Sequence, residues 1–159
     1  MNLLKKEGIN VHLLIIGRTI YQANGNGHIL SLIKKFDLEK QVKFLGYQPY
    51  ENLSDFINLS SAGLIPFRTN SILTTMAFPN KLVEYLACGK PVISPPLKEL
   101  INVGNDYVFP YTDPKSLAEQ MKRAISSKRD PEEIRRTALS YDWKKIAKNL
   151  DDTLFSLIS

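Results

Sequence analysis

Lys81 and Glu84 stand three residues apart in the run Pro79-Asn80-Lys81-Leu82-Val83-Glu84-Tyr85-Leu86-Ala87-Cys88-Gly89-Lys90-Pro91-Val92-Ile93-Ser94. At helical spacing that puts a cation and an acceptor-only carboxylate on one face. Proline is pre-organised for a first helical turn, Asn80 is a capping residue, and Gly89 followed by Pro91 stops the helix before the apolar run Pro91-Val92-Ile93. Leu82, Val83 and Leu86 fall on the other, inward face. A lysine in the first turn opposes the helix dipole by roughly 0.3–1 kcal/mol unless an anion also occupies that end. The spacing therefore admits two readings, a phosphate-binding helix terminus or a surface Lys/Glu pair on an ordinary amphipathic helix.

Other chemistries find less support. Gly25-Asn26-Gly27-His28 opens a helix, but the stretch from Gly17 to Gly27 has neither GxGxxG spacing nor a Walker lysine, so it reads as a loose loop. His12 in a strand and His28 at a helix start lack cysteine or acid partners at ligand spacing, which argues against zinc. No Gly-x-Ser-x-Gly elbow is present for a Ser-His-Asp hydrolase. Cys88 is the single cysteine, so it forms no internal disulfide, and its helix position suggests a small buried residue in a reducing compartment.

The elements that position Lys81 and Glu84 follow from the apolar pattern. Val11-His12-Leu13-Leu14-Ile15-Ile16 and Gly63-Leu64-Ile65 are almost continuously apolar, the mark of strands covered on both faces. Ile29, Leu30, Leu32, Ile33 and Phe36, and then Leu53, Phe56 and Ile57, carry helical spacing. This alternation predicts an α/β fold with a doubly wound, Rossmann-like parallel sheet, its central strands at 11–17, 42–45, 63–65 and 92–93. Such sheets bind ligands beyond the carboxyl ends of their strands, where the helix carrying Lys81 and Glu84 begins. Asp113-Pro114 and Asp130-Pro131 open two further helices, the first with Leu117, Ala118, Met121, Ala124 and Ile125 inward and the second running toward Ser140. Trp143, Ile146, Ala147, Leu150, Leu154, Leu157 and Ile158 form a long stripe, predicted to pack across one side of the sheet.

With 159 residues, 43% hydrophobic and 23% charged, the chain is long enough to bury one sizeable core, so residues 1–159 read as a single domain. The formal charge of +5 suits phosphate ligands, an anionic membrane surface or nucleic acid and selects none of them. Lys122, Arg123, Lys128, Arg129, Arg135 and Arg136 are interleaved with acids and lack an aromatic platform, so they read as a solvated face rather than a nucleic-acid patch. No apolar run reaches the length of a membrane span, and the first residues show no signal-peptide core, which points to the cytoplasm.

The segment Leu86-Ala87-Cys88-Gly89-Lys90-Pro91-Val92 resembles the small-Gly-x-Pro-Val signature of the group 1 glycosyltransferases, enzymes of GT-B type built from two Rossmann-like domains. The resemblance extends over nearly the whole chain. Residues 11–17, Val42-Lys43-Phe44-Leu45-Gly46-Tyr47, Ala62-Gly63-Leu64-Ile65-Pro66-Phe67 and Tyr141-Asp142-Trp143-Lys144-Lys145-Ile146-Ala147 follow the order of that group's C-terminal domain, with 141–159 as its crossing helix. It implies the donor-binding half of an enzyme that moves a sugar from a nucleoside-diphosphate sugar to a saccharide or lipid-linked acceptor, as in polysaccharide biosynthesis. The group needs no metal, and no Asp-x-Asp occurs here to suggest one. A non-catalytic nucleotide-binding or interaction module on the same scaffold is the alternative, because fold does not fix function.

By this resemblance Glu84 matches the second glutamate of the Glu-x7-Glu motif, whose carboxylate accepts from the donor ribose. Lys81 matches the lysine of Pro-x-Lys-x-x-Glu members and contacts the donor phosphates, with the backbone amides of Leu82 and Val83 adding pyrophosphate contacts. Tyr47 falls where the nucleobase is held, and Arg68 lies in the loop feeding the site. Two departures stand out. Met76 occupies the position of the first glutamate and offers no carboxylate to a sugar hydroxyl. Ala77-Phe78-Pro79 replaces Gly-Phe-Gly, so one amide donor is gone. Donor-sugar recognition is accordingly altered or lost, while nucleotide recognition is less affected.

Residues 1–8 read as the end of a helix stopped by Gly8, with no strand ahead of it to complete a βαβ unit. The resemblance places the first strand of the domain, a basic Arg/Lys pair and a whole acceptor-binding domain upstream. The expectation is an incomplete fragment that is inactive alone. Its partners would be the donor and, through the absent N-terminal domain, the acceptor, with no nucleic acid; the full-length protein is compatible with a peripheral place at the inner membrane face.

Overall fold

The computed structural model describes residues 1–17, 26–67 and 78–158. They group into two compact units, Met1–Leu53 and Ser54–Ser159.

In the first unit, helix α1 (Asn2–Lys6) precedes strand β1 (Leu13–Ile16), helix α2 (Asn26–Lys35) and strand β2 (Val42–Gly46). Gly8 ends α1 as its sequence predicts, with φ +73 and the Ile9 N–H donating to Leu4 O at 2.9 Å. Asp37 closes α2 in the same way, with φ 51 and the Leu38 N–H donating to Ile33 O at 2.9 Å. Lys5 reaches that turn: its Nζ donates to Asp37 Oδ2 at 2.7 Å and to Phe36 O at 3.3 Å. That hydrogen bond, together with the lysine charge, holds the Asp37 carboxyl below the usual carboxylate range. β1 and β2 pair in parallel from Leu13↔Val42 to Ile15↔Phe44, then slip by one residue to Ile16↔Gly46. The expectation that β1 is covered on both faces is corrected: Leu14 is 39% exposed, because nothing among the described residues covers the face it points to.

The second unit follows α3 (Leu53–Leu59) with β3 (Gly63–Leu64), α4 (Asn80–Ala87), β4 (Val92–Ser94), α5 (Lys98–Gly104), β5 (Val108–Pro110), α6 (Pro114–Ile125), α7 (Pro131–Ala138) and α8 (Trp143–Ile158). Its strands form a parallel ladder in the order β3-β4-β5, with Gly63↔Val92 and Val92↔Val108 in register. β4 is central and closed on both faces, with Val92 and Ser94 at 0% and Ile93 at 3% exposure, as a near-continuous apolar strand requires. Ile65, Leu82, Leu86, Leu100 and Ile134 fill the core around it.

The α/β class with parallel strands stands, but the single ladder expected through residues 11–17, 42–45, 63–65 and 92–93 is seen as two.

Two caps in the second unit match the sequence. Asp113 and Ser116 form a reciprocal capping box on α6, and the Asp130 carboxylate accepts from the Glu132 N–H at 2.9 Å on α7. α7 stops at Ala138, short of the predicted Ser140, and a 3-10 turn at Leu139–Tyr141 follows. The apolar stripe of α8, predicted to pack across the sheet, is instead exposed, with Trp143 at 77% and Leu157 at 76%. Among the described residues no strand or helix covers it.

Candidate functional site

α4 follows β3, and the strands on either side of it are parallel, so its N-terminus lies at the edge where those strands end. The cap differs from the sequence expectation by one residue. Pro79, extended at φ -80 and ψ 124, is the N-cap, and Asn80 is the first helical residue and caps nothing. The buried proline fits there because its carbonyl still accepts from the Leu82 N–H, at 2.9 Å, while the donor it lacks is not needed. No side chain caps the helix, and no acid stands in its first turn.

This geometry redistributes the amides. The N–H of Leu82, expected to face a ligand, is already bonded to Pro79. Those of Asn80 and Lys81 precede the first intrahelical bond and have no partner among the described residues. Lys81 is exposed, and Glu84, one turn on, is half-buried. Neither Lys81 nor Glu84 makes an ion pair or side-chain hydrogen bond among the described residues, so the Lys/Glu pair open to the sequence is not formed. Leu82 and Leu86 point the other way at 0% exposure and fasten the helix to the core, and Val83 packs against the same cluster.

At the far end, Gly89 takes φ +69, its N–H donating to Leu86 O at 2.8 Å and that of Lys90 to Tyr85 O at 2.9 Å. This is the glycine stop read from the sequence. Lys90 Nζ donates to Asn58 O at 2.9 Å, tying the end of α4 to that of α3. Burial pushes the Tyr85 phenol upward, and the Glu84 charge adds to it. Burial likewise raises the Cys88 thiol, against the opposing charges of Arg135 and Lys90, which keeps it a thiol rather than a nucleophile.

The structure thus brings Lys81, Leu82, Val83 and Glu84 together on α4. Tyr47 belongs to the first unit, 66% exposed just after β2. Arg68, Met76 and the loop at Gly25 lie outside the described residues. Among the described residues no three His, Cys, Asp or Glu side chains cluster to hold a metal. None of the described helices is long and apolar enough to cross a membrane. The amides of Asn80 and Lys81 were not singled out by sequence reasoning; the signal was Pro79, whose carbonyl claims the next free N–H.

A helix that starts at the strand ends of a parallel α/β ladder is the arrangement of doubly wound folds. The chain belongs to the family described as Glycosyl transferases group 1, whose model matches residues 1–141. Sucrose-phosphate synthase from Thermosynechococcus elongatus shares the fold, with a TM-score of 0.68 and 20% identity over 92% of this chain and 38% of that one. AviGT4, a glycosyltransferase involved in avilamycin A biosynthesis, does so with a TM-score of 0.61 and 17% identity over 80% of this chain and 37% of that one. The chain therefore spans little more than a third of either structure. No curated protein sequence matches it.

Proposed function

We propose that this chain is the donor-binding part of a glycosyltransferase and that the N-terminal turn of α4 holds the diphosphate of a nucleotide sugar. The observation that carries this is the α4 terminus, with open amides at Asn80 and Lys81, no cap, no first-turn acid, and an exposed lysine, Lys81, in that turn. A cation tolerated against the helix dipole fits an anion bound there. Glu84, one turn on, accepts from the ribose hydroxyls.

In transfer, the acceptor hydroxyl oxygen bonds to the sugar's anomeric carbon as the bond from that carbon to the β-phosphate oxygen breaks. The acceptor proton passes to the departing diphosphate, which also carries away the electron pair of the broken bond. Lys81 and the α4 amides stabilise the charge that builds on that leaving group, a role that calls for no metal. The acceptor, a saccharide or a lipid-linked sugar, is held by protein outside this chain. We place the whole enzyme in the cytoplasm, at a membrane face when the acceptor is lipid-linked.

A thermal-shift screen of uridine, adenosine and guanosine diphosphates tests this reading, because a ligand of the folded state raises the melting temperature. One of the three should do so. Incubation with nucleotide sugars and acceptors should give at most slow hydrolysis, since half a cleft does not align donor and acceptor, an alignment worth up to roughly 7–11 kcal/mol. Robust acceptor-dependent turnover by the chain alone would refute the half-enzyme reading.

A further inference from the structure

Phe78, the residue just before the Pro79 N-cap of α4, stacks on Tyr141 with ring centroids 5.5 Å apart and planes 25° from parallel. An apolar residue at that position usually sets the entry angle of the chain by packing on its own helix. Here it packs on a ring from the far end of the unit. The contact matters because α4 has no side-chain cap, so the residues leading into its first turn are left to set how the chain enters the helix, with Leu82 anchoring it from the core side.

Tyr141 is a firm platform. It packs against the core cluster, ends the 3-10 turn at Leu139–Tyr141, and is followed by Asp142, whose carboxylate accepts from the Lys144 N–H at 2.8 Å at the start of α8. Phe78, by contrast, stays 41% exposed although stacked. Removing its ring opens no cavity in the core, so its place in the structure is not explained by core filling.

We propose that the Phe78–Tyr141 stack is a positioning device for the anion site. It holds the lead-in to α4 so that the Asn80 and Lys81 amides and the Lys81 side chain converge on one phosphate group. Neither ring touches the ligand. The proposal rests on the reading that this turn binds a nucleoside diphosphate, and its test separates the two.

Amide hydrogen exchange by NMR, on the full chain without ligand, reads the turn through the Leu82 N–H, which is bonded to Pro79 O at 2.9 Å. In Phe78→Ala and Tyr141→Ala the Leu82 amide should exchange about tenfold faster than in the wild type, as local opening of one turn allows, while Leu86 and Cys88 keep their rates. Tyr141→Phe retains the ring and should exchange like the wild type. Calorimetry with the same three diphosphates should show affinity about three- to tenfold weaker in the two alanine variants and unchanged in Tyr141→Phe. Phe78→Ala, at a partly exposed position, carries the test should Tyr141→Ala fail to fold. Unchanged Leu82 exchange in Phe78→Ala overturns the proposal, as does faster exchange spread evenly along α4 or an unchanged affinity. If the wild type binds none of the diphosphates, the nucleotide reading fails; loss of Leu82 protection in Phe78→Ala then still supports the hold of the stack on α4, and its retention overturns it.

Discussion

Gly89 lies against Pro131 so closely that a Cβ on residue 89 would stand 2.8 Å from Pro131 Cβ and 2.9 Å from the Pro131 carbonyl oxygen. The same glycine is left-handed, at φ +69. One residue thus ends α4 and lets α7 pack against it. Gly89→Ala adds backbone strain to overpacking and should lower stability by about 2–4 kcal/mol. Urea unfolding checks this, and a variant as stable as the wild type would show that α7 yields freely.

Leu86 and Leu150 are both leucines in helices, one at 0% and one at 58% exposure. Leu86→Ala should cost about 2–5 kcal/mol through lost burial and a residual cavity, whereas Leu150→Ala on α8 should stay within about 0.5 kcal/mol. Paired thermal melts read the contrast. Equal losses would mean that α8 packs on something in solution.

Asp113 accepts from the Ser116 N–H at 3.0 Å and the Lys115 N–H at 2.8 Å, and these bonds hold its carboxyl below the ordinary carboxylate range. Because the pKa is depressed in the folded state, the stabilisation is fully present above the unfolded value near 4 and is lost as pH falls through the folded one. Asp113→Asn still caps α6 but does not titrate. The stability gap between wild type and Asp113→Asn, measured in urea, should shrink as pH is lowered from about 6 to below 4. A gap that stays constant would mean that the cap is indifferent to charge.

The proposed reading gives the ribose to Glu84 and the phosphates to Lys81, so the two roles are separable. Glu84→Gln should weaken binding of a ribonucleoside diphosphate more than that of its 2′-deoxy counterpart, because the neutral amide is the poorer acceptor for a hydroxyl. Equal losses for both sugars would remove Glu84 from the ribose.

The apolar runs at Val92-Ile93 and Gly63-Leu64 announced a buried parallel ladder, and Gly8, Gly89, Asp113 and Asp130 announced helix ends, because each of these signals is local. β5 was not anticipated: three residues, Val108, Phe109 and Pro110, are too few to show a period. α5, the seven-residue helix Lys98–Gly104, was not anticipated either. The stripe on α8 was clear from its spacing, but spacing says that a face is apolar and not what covers it. At the site, Lys81 and Glu84 were visible as a pair of types at helical distance. Which amides are open was not, since that turned on the Pro79 carbonyl, and the Phe78–Tyr141 stack joins residues too far apart in sequence for any pattern to link.

The central claim is that Lys81 and the α4 terminus hold a diphosphate, and calorimetry of Lys81→Ala beside the wild type tests it most directly. Lys81 is exposed, so its removal leaves the fold intact. A charge-assisted hydrogen bond is worth roughly 1.5–3 kcal/mol, so the variant should bind the preferred nucleoside diphosphate about ten- to a hundredfold more weakly. The corresponding nucleoside, which lacks phosphate, should bind both proteins alike. Equal diphosphate affinity in the two proteins would contradict the account.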